Sequence, residues 1–334
     1  NFILTGSSSN PSVVPDGNIF FGSAGGNRYI TVTPAFGQTG TATITVNATD
    51  QENLTATTHF LITVNPPPAG ALRFANTSPI TINSNGPATS YPSTINVSGM
   101  GGNVSRVDVT LSKLTHQRIQ EVSMLLLAPS GDYVIIFSHI SGGDRPATNV
   151  TVTLTDTSAF YLPVDFALWS EPLKPARFGT TPTFPAPAPL PPYNSVVLSA
   201  FNGAPANGNW SLFVFDEDGI AAGAIAGGWS LMISTTGPTI SDIPNQLITV
   251  DSTSSNIPFT ITEAGTPSSS LTLTKASDNT TLIPTANIVF GGAGANRTVT
   301  VTPAPGQIGT ATVTVTVSDG VKSASDSFLV TVTN

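Results

Sequence analysis

Hydrophobic and polar residues alternate along most of this chain with a period of two. The clearest run is residues 207–233, NGNWSLFVFDEDGIAAGAIAGGWSLMI, which holds two strand-like segments, 210–215 and 229–233. Each carries a Trp-Ser-Leu triplet, and in a strand Trp and Leu share one face while Ser takes the other. An acidic, Gly/Ala-rich connection joins them, so the stretch reads as a hairpin of a β-sandwich. The same alternation predicts strands over 107–111, 122–127, 133–137 and 150–154. Pro129-Ser130-Gly131 supplies the turn between the second and third of these.

The pattern repeats at the two ends. NIFFG at 18–22 matches NIVFG at 287–291, and GNRYITVTPAFGQTGTATITV from Gly26 matches ANRTVTVTPAPGQIGTATVTV from Ala295. The register runs without a gap from Asn1 opposite Ser270 to Asp50 opposite Asp319. After a one-residue slip, FLITV at 60–64 aligns with FLVTV at 328–332. Each copy predicts strands at regular spacing: 29–33, 42–47 and 59–64 in the first, 298–302, 311–317 and 327–332 in the second. Short strands separated by Gly and Pro indicate sandwiches. The second copy has residues 237–270 ahead of the shared region, with further strands expected at 246–250 and 258–262. The first copy has no such lead, which predicts a sandwich lacking its first strands, with an unpaired edge beside an apolar core. Two explanations are open: preceding residues were removed, or another subunit supplies the strands by β-addition.

Three units follow: 1–66, an incomplete immunoglobulin-like repeat; 67–235, a sandwich without the repeat; and 236–334, a complete immunoglobulin-like repeat. NPPPAG at 65–70 and STTGP at 234–238 are the connections, the first Pro-rich and semi-rigid. The fold class is all-β, as tandem β-sandwiches.

Composition narrows the function. Charged residues are 9% of 334 positions, far below the roughly 25% of an average soluble protein, and the polar share falls to Thr, Ser, Asn, Gly and Pro. A net charge of −8 offers no basic stripe for nucleic acid. No apolar run approaches the roughly 18 residues of a membrane span. The absence of cysteine excludes disulfides and thiolate chemistry. Asn1 is not a start methionine, so the chain is expected to be processed or cut from something longer. Nine Asn-x-Ser/Thr sites (Asn47, Asn53, Asn76, Asn96, Asn103, Asn149, Asn209, Asn279 and Asn296) are glycan acceptors only in a host with the machinery. The composition is that of an extracellular or cell-surface protein.

The end repeats resemble bacterial immunoglobulin-like (cadherin-like) repeats of surface proteins. The middle unit resembles the P domain, or Homo B domain, of subtilisin-like proprotein convertases and their bacterial relatives. The residues that carry this are YPSTINVSG at 91–99, LTHQRIQEVSMLLLAPSG at 114–131, FPAPAPLPPY at 184–193, LSAFNG at 198–203 and the WSL…GGWSL stretch. The resemblance implies a jelly-roll sandwich, which stabilises an adjoining protease in the convertases and is appended to many secreted bacterial proteins. No subtilisin-like catalytic domain is present here. Acidic pairs that family members carry after the His, and a second Asp before GGWSL, are replaced by Ile119-Gln120-Glu121 and Ile220-Ala221-Ala222.

Candidate chemistry is sparse. His116 with Arg118 suits a general base with an anion clamp, but no nucleophile elbow accompanies it, and a structural His is the plainer reading. Asp216, Glu217 and Asp218 form the densest acidic cluster, either a calcium site or a solvated turn. No other cofactor is implied. Phe166, Trp169, Phe178 and Phe184 punctuate a Pro-rich loop, where they either stack on sugars or a partner or pack on their own sandwich. Lys275 and Lys322, two of four lysines with Lys113 and Lys174, correspond to Gly6 and Asn53 in the first copy, which argues against a shared Lys–Asn cross-link.

The expected function is a non-enzymatic structural protein. Its partners are further copies of itself in a head-to-tail polymer, or adjoining domains of a longer chain. Heterologous contacts that do not close make filaments. Strands from a neighbour are expected beside Phe2 and Leu4, Ile19 and Phe21, and Phe60 and Ile62. The alternative is a binding or spacer module of a larger secreted hydrolase or adhesin.

Overall fold

The computed structural model describes residues 2–24, 27–35, 37–66 and 70–334, and every strand lies in one of three sandwich-like groups. Residues 67–69 of the Pro-rich connection lie outside the described residues. The first group comprises β1 (Ile3–Ser8), β2 (Ile19–Ala24), β3 (Asn27–Val32), β4 (Gly40–Thr49) and β5 (Thr55–Val64). Its sheets are β1-β4-β5 and β2-β3. Alternation fixes the inward set: Ala42 and Ile44 of β4 are buried with Val13, Val14 and Ile19.

The middle group begins with β6 (Ala71–Asn76), β7 (Ile80–Ile82), β8 (Gly86–Pro87), β9 (Ser93–Val97) and the long β10 (Val104–His116). It continues with β11 (Val122–Leu127), β12 (Tyr133–Ser138), β13 (Ala147–Leu154), β14 (Pro172–Leu173) and β15 (Ala176–Arg177). It ends with β16 (Gly208–Asp216), β17 (Gly223–Ile225) and β18 (Trp229–Thr235). One sheet centres on β10, flanked by β13 on one side and by β18 and β17 on the other; the second runs β15-β12-β11-β16, with β8 and β9 beside β16.

The two Trp-Ser-Leu strands are not a hairpin. β16 pairs with β11 and β9, β18 pairs with β10 and β6, and they lie in opposite sheets. Local alternation gives the face of each strand but not its partner, and the long acidic connection spans the sandwich instead of turning back within one sheet. The triplets therefore meet across the core. Trp210 and Trp229 are both buried there, and their indole N–H groups donate to the Ala206 carbonyl and the Ser93 hydroxyl at 2.9 Å each. β16 is buried on both faces: Phe213 turns to a second, smaller cluster with Leu125, Ile135, Phe184 and Tyr193. The Pro-rich loop thus covers the outside of that sheet with Phe184.

The last group comprises β19 (Thr239–Ile240), β20 (Gln246–Thr249), β21 (Ile257–Thr262), β22 (Thr272–Ser277), β23 (Ile288–Ala293), β24 (Asn296–Val301), β25 (Gly309–Ser318) and β26 (Ser323–Thr333). Its sheets are β20-β26-β25-β22 and β19-β21-β24-β23. The repeat is structural as well as sequential. Ala35 N–H donates to the Val13 carbonyl at 2.8 Å, and at the matching place Ala304 N–H donates to Leu282, also at 2.8 Å. The Asn18 amide donates to the Thr33 carbonyl at 3.0 Å, and Asn287 to Thr302 at 3.1 Å.

Candidate functional site

The first and last groups share five strands. β22 to β26 match β1 to β5 in order, pairing and register. The last group adds β20 on the outer edge of β26 and β21 on the outer edge of β24. Among the described residues, no strand lies on the corresponding edges of β5 and β3.

Equivalent side chains register the difference. Val299, Val301, Val315, Phe328 and Val330 are 0–1% exposed. Their counterparts Ile30, Val32, Val46, Phe60 and Ile62 are only partly buried. The residue types are nearly the same, and the difference is the cover: Ile248, Ile257, Phe259 and Ile261 of β20 and β21 pack on the last core, where no described strand packs on the first. Each apolar side chain left half-exposed forgoes transfer free energy at roughly 25 cal/mol per Å².

These positions bear on where a neighbour's strand is expected. Phe60 and Ile62 lie on β5, one of the two open edges. Phe2 precedes β1, Leu4 lies within it, and Ile19 and Phe21 belong to β2. The free edges of β1 and β2 correspond to those of β22 and β23, which remain free in the complete copy too. Ile19 is moreover a core residue, 9% exposed. The second strand edge without a described neighbour is that of β3, which carries Tyr29 and Ile30.

One cleft runs along β3, and another lies at the end of β5. One, of about 660 Å³, lies between Tyr29, Ile30 and Val32 of β3 and Arg145, Leu168 and Trp169 of the middle group. The other, of about 420 Å³, lies between Thr33, Gly37 and Val64 and a wall that includes Thr110 and Thr151. Phe178 and Trp169 pack partly on the middle core, while Phe166 is 69% exposed.

The acidic trio divides. Asp216 is fully buried, and its Oδ2 lies 3.0 Å from His116 Nε2. His116 Nδ1 accepts the Arg118 N–H at 3.2 Å, which places the ring proton on Nε2, donating to Asp216. The other Asp216 oxygen accepts the Asp218 N–H at 3.0 Å. Burial raises the Asp216 carboxyl above its ordinary range, opposed by that N–H and by His116. Glu217 points elsewhere: it accepts from Ser123 Oγ at 2.5 Å and lies 3.5 Å from His139 Nε2. Calcium held by all three carboxylates does not fit this geometry, since Asp216, the last residue of β16, turns to His116 while Glu217, just past the strand, turns to Ser123 and His139. Among the described residues no group of three His, Cys, Asp or Glu is placed to hold a metal.

Nearby, Arg118 Nε sits 2.9 Å from the buried Glu121, and burial raises that carboxyl despite Arg118. Sequence reading missed Ser123 and Ser138, whose hydroxyls are 2.9 Å apart, with His139 Nδ1 2.8 Å from Ser138. Both serines are fully buried, so neither hydroxyl is presented to a substrate. Lys275 donates to the Ile288 carbonyl, within the last sandwich.

No protein-family model and no curated protein matches the sequence. Among solved structures, the chain is similar over all its length to the I-band fragment I67-I69 from titin, at 9% identity and a TM-score of 0.26, covering 88% of that chain. Titin M4 in its trigonal form matches 29% of this chain with 96% of its own, at 12% identity and TM-score 0.23. An endo-fucoidan hydrolase from glycoside hydrolase family 107 matches 99% of this chain with 38% of its own, at 12% identity and TM-score 0.22. Scores of this size carry no argument about function. The all-β, tandem immunoglobulin-like architecture rests on the strand pairing itself, and no described helix is long and apolar enough to cross a membrane.

Proposed function

We propose that this chain is a non-enzymatic extracellular structural protein, a subunit of a fibre or surface layer joined by β-strand complementation. One observation carries the reading: the same module occurs twice, and among the described residues the strands that pair with β26 and β24 have no counterpart on β5 and β3, whose core is half-covered. Open edges beside apolar surface are templates for pairing, and folded proteins normally block them. Donated strands would cover both at once.

The middle domain, on this reading, is a P-domain-like spacer that holds the two modules apart. The non-enzymatic part is supported by the burial of Ser123, Ser138 and His116, which leaves their polar atoms bonded to one another and to carboxylates. The extracellular part is supported by low charge and a Thr- and Asn-rich composition without cysteine.

The alternative, a binding or spacer module of a larger secreted protein, draws on the cleft walled by Tyr29 and Trp169. Electron microscopy of native material separates the two. Ordered filaments with a repeat of one chain are expected; dispersed single particles at every concentration tried would leave only the spacer reading.

A further inference from the structure

Three carboxylate oxygens lie buried where the middle and last domains meet: Oε1 and Oε2 of Glu263 and Oδ2 of Asp319. Glu263 follows β21 directly, and Asp319 sits in the turn between β25 and β26. The Asp319 side chain is fixed there, because its Oδ1 accepts the Val321 N–H at 2.7 Å and the Lys322 N–H at 2.6 Å. That leaves Oδ2 for Glu263. Among the described residues, no group donates to any of the three oxygens with ordinary hydrogen-bond geometry. Thr266 Oγ1, close by, accepts the Gly102 N–H, and Lys322 Nζ donates to the Thr235 carbonyl.

The middle domain closes over this pair with backbone. A Cβ at Gly101 would run into the Asp319 carboxylate, one at Gly102 would lie 2.9 Å from Glu263 Oε1, and one at Gly265 would run into the Asn103 side chain. Only glycine permits an approach this close. Lys322 is held in the same way, its stem packed where Gly70 and Gly237 have no side chain. The charged groups at the pair are Glu263, Asp319 and Lys322, all from the last domain. The segments laid against them from the middle domain, 101–103 and 235–236, contain no titratable side chain.

Two carboxylates in contact and out of water resist ionising together. With one proton between them, Glu263 donates to Asp319 and the pair carries a single charge beside Lys322. Without it, acceptors and negative charges face each other under the glycine segment. Water relieves them only if the domains part. The Glu263 carboxyl is accordingly pushed up to about 7, by burial first and then by Asp319, against Thr266 and Lys322.

We infer that this junction is a proton-operated clasp, closed while Glu263 and Asp319 share a proton and released when both are ionised, which turns a rigid joint into a hinge about residues 236–238. The closed joint holds the proton more tightly than the open one, where Glu263 is an ordinary solvated carboxyl, so acid closes it. The closing constant is expected to fall at least about tenfold between pH 5 and pH 8. This inference does not depend on the strand-acceptor reading.

The chain has no cysteine, so two introduced ones take spin labels specifically. Asn194→Cys is exposed in the middle domain, and Gln307→Cys is exposed just ahead of β25, at the end opposite Asp319. Electron–electron double resonance on the full chain reads their separation. Expected is one narrow distance distribution at pH 5 that broadens by pH 8. Glu263→Gln should stay narrow at both, because its amide supplies permanently the donor that the proton supplies in the wild type. A wild-type distribution that is the same at both pH values would overturn the clasp without recourse to any variant of the pair. So would a Gln variant that broadens as the wild type does. Narrowing at pH 8 on adding calcium, reversed by a chelator, would assign the carboxylates to a metal and overturn the proton's role.

Discussion

At the scale of residues, the informative pair is His116 with Asp216. The sequence identified both but assigned them to different tasks, because His116 sits in the LTHQR segment and Asp216 lies a hundred positions later. Only the fold brings β10 and β16 to the same end of the sandwich. Buried, each satisfies the other, and the remaining atoms accept backbone N–H groups. Removing one partner strands the other's donor in the interior, which costs more than the pair contributes. Asp216→Ala is expected to destabilise the middle domain by about 3 kcal/mol, and Asp216→Asn by less than half of that, since Asn retains an acceptor. All three tryptophans, Trp169, Trp210 and Trp229, belong to this domain, so denaturation followed by Trp fluorescence reads it alone. If Asp216 instead served mainly as a calcium ligand, Ala and Asn would cost alike, and added calcium would change the wild-type midpoint but neither variant's.

At the scale of elements, the end domains form an internal comparison. β3 and β24 share sequence and pairing, yet Val32 is partly exposed while Val301 is fully buried. Deleting two methyl groups from a buried Val forfeits about 1.6 kcal/mol of transfer free energy, plus a cavity cost. Val301→Ala is therefore expected to lower the stability of the last domain by about 2–3 kcal/mol. Val32→Ala should lower that of the first by about 1 kcal/mol. Hydrogen exchange in β25 and β4 reports each domain separately. Equal costs for the two substitutions would show that the first core is covered as fully as the last.

Much at this scale was legible in advance, because period-two patterning states which face a strand buries and the repeat states which elements recur. Strands 122–127 and 133–137 fell where expected, with Gly131 at φ +92° in the turn between them. What was not legible was partnership across the fold. β16 and β18 separate into opposite sheets, although the alternation alone reads as a hairpin. Pairing order depends on the whole sandwich and leaves no local trace.

At the scale of the whole molecule, the middle and last domains meet in a small polar junction with an acidic centre. Gly102 N–H donates to Thr266 Oγ1 at 2.7 Å, Thr236 N–H donates to the Asn103 carbonyl at 2.7 Å, and Lys322 Nζ donates to the Thr235 carbonyl. Gly102 has φ +71°, and a Cβ there would lie 2.2 Å from the Thr236 carbonyl oxygen, so Gly102→Ala should pry the domains apart without touching either core. Small-angle scattering is expected to show a longer molecule, with both domains' unfolding midpoints nearly unchanged; a shape like the wild type's would mean that the junction yields locally. Glu263 lies at the centre, facing Asp319 and Lys322. Burial, then the hydrogen bond and charge of Asp319, push its carboxyl up from 4.5 to about 7, opposed by Thr266 and Lys322. The folded state then holds this proton more tightly than the unfolded state does. Between about pH 4.5 and 7 it binds more protons than the unfolded chain, so stability falls as pH rises through that window and levels off above it. The buried carboxyls of Glu121 and Asp216 are raised too and slope the same way, so total stability alone does not isolate Glu263. Glu263→Gln does. The difference between wild type and variant should vanish near pH 4.5 and grow to its full size by about pH 7, the variant then being the more stable. A difference that is constant with pH would show that Glu263 keeps its charge throughout and that Lys322, not a shared proton with Asp319, holds the junction closed.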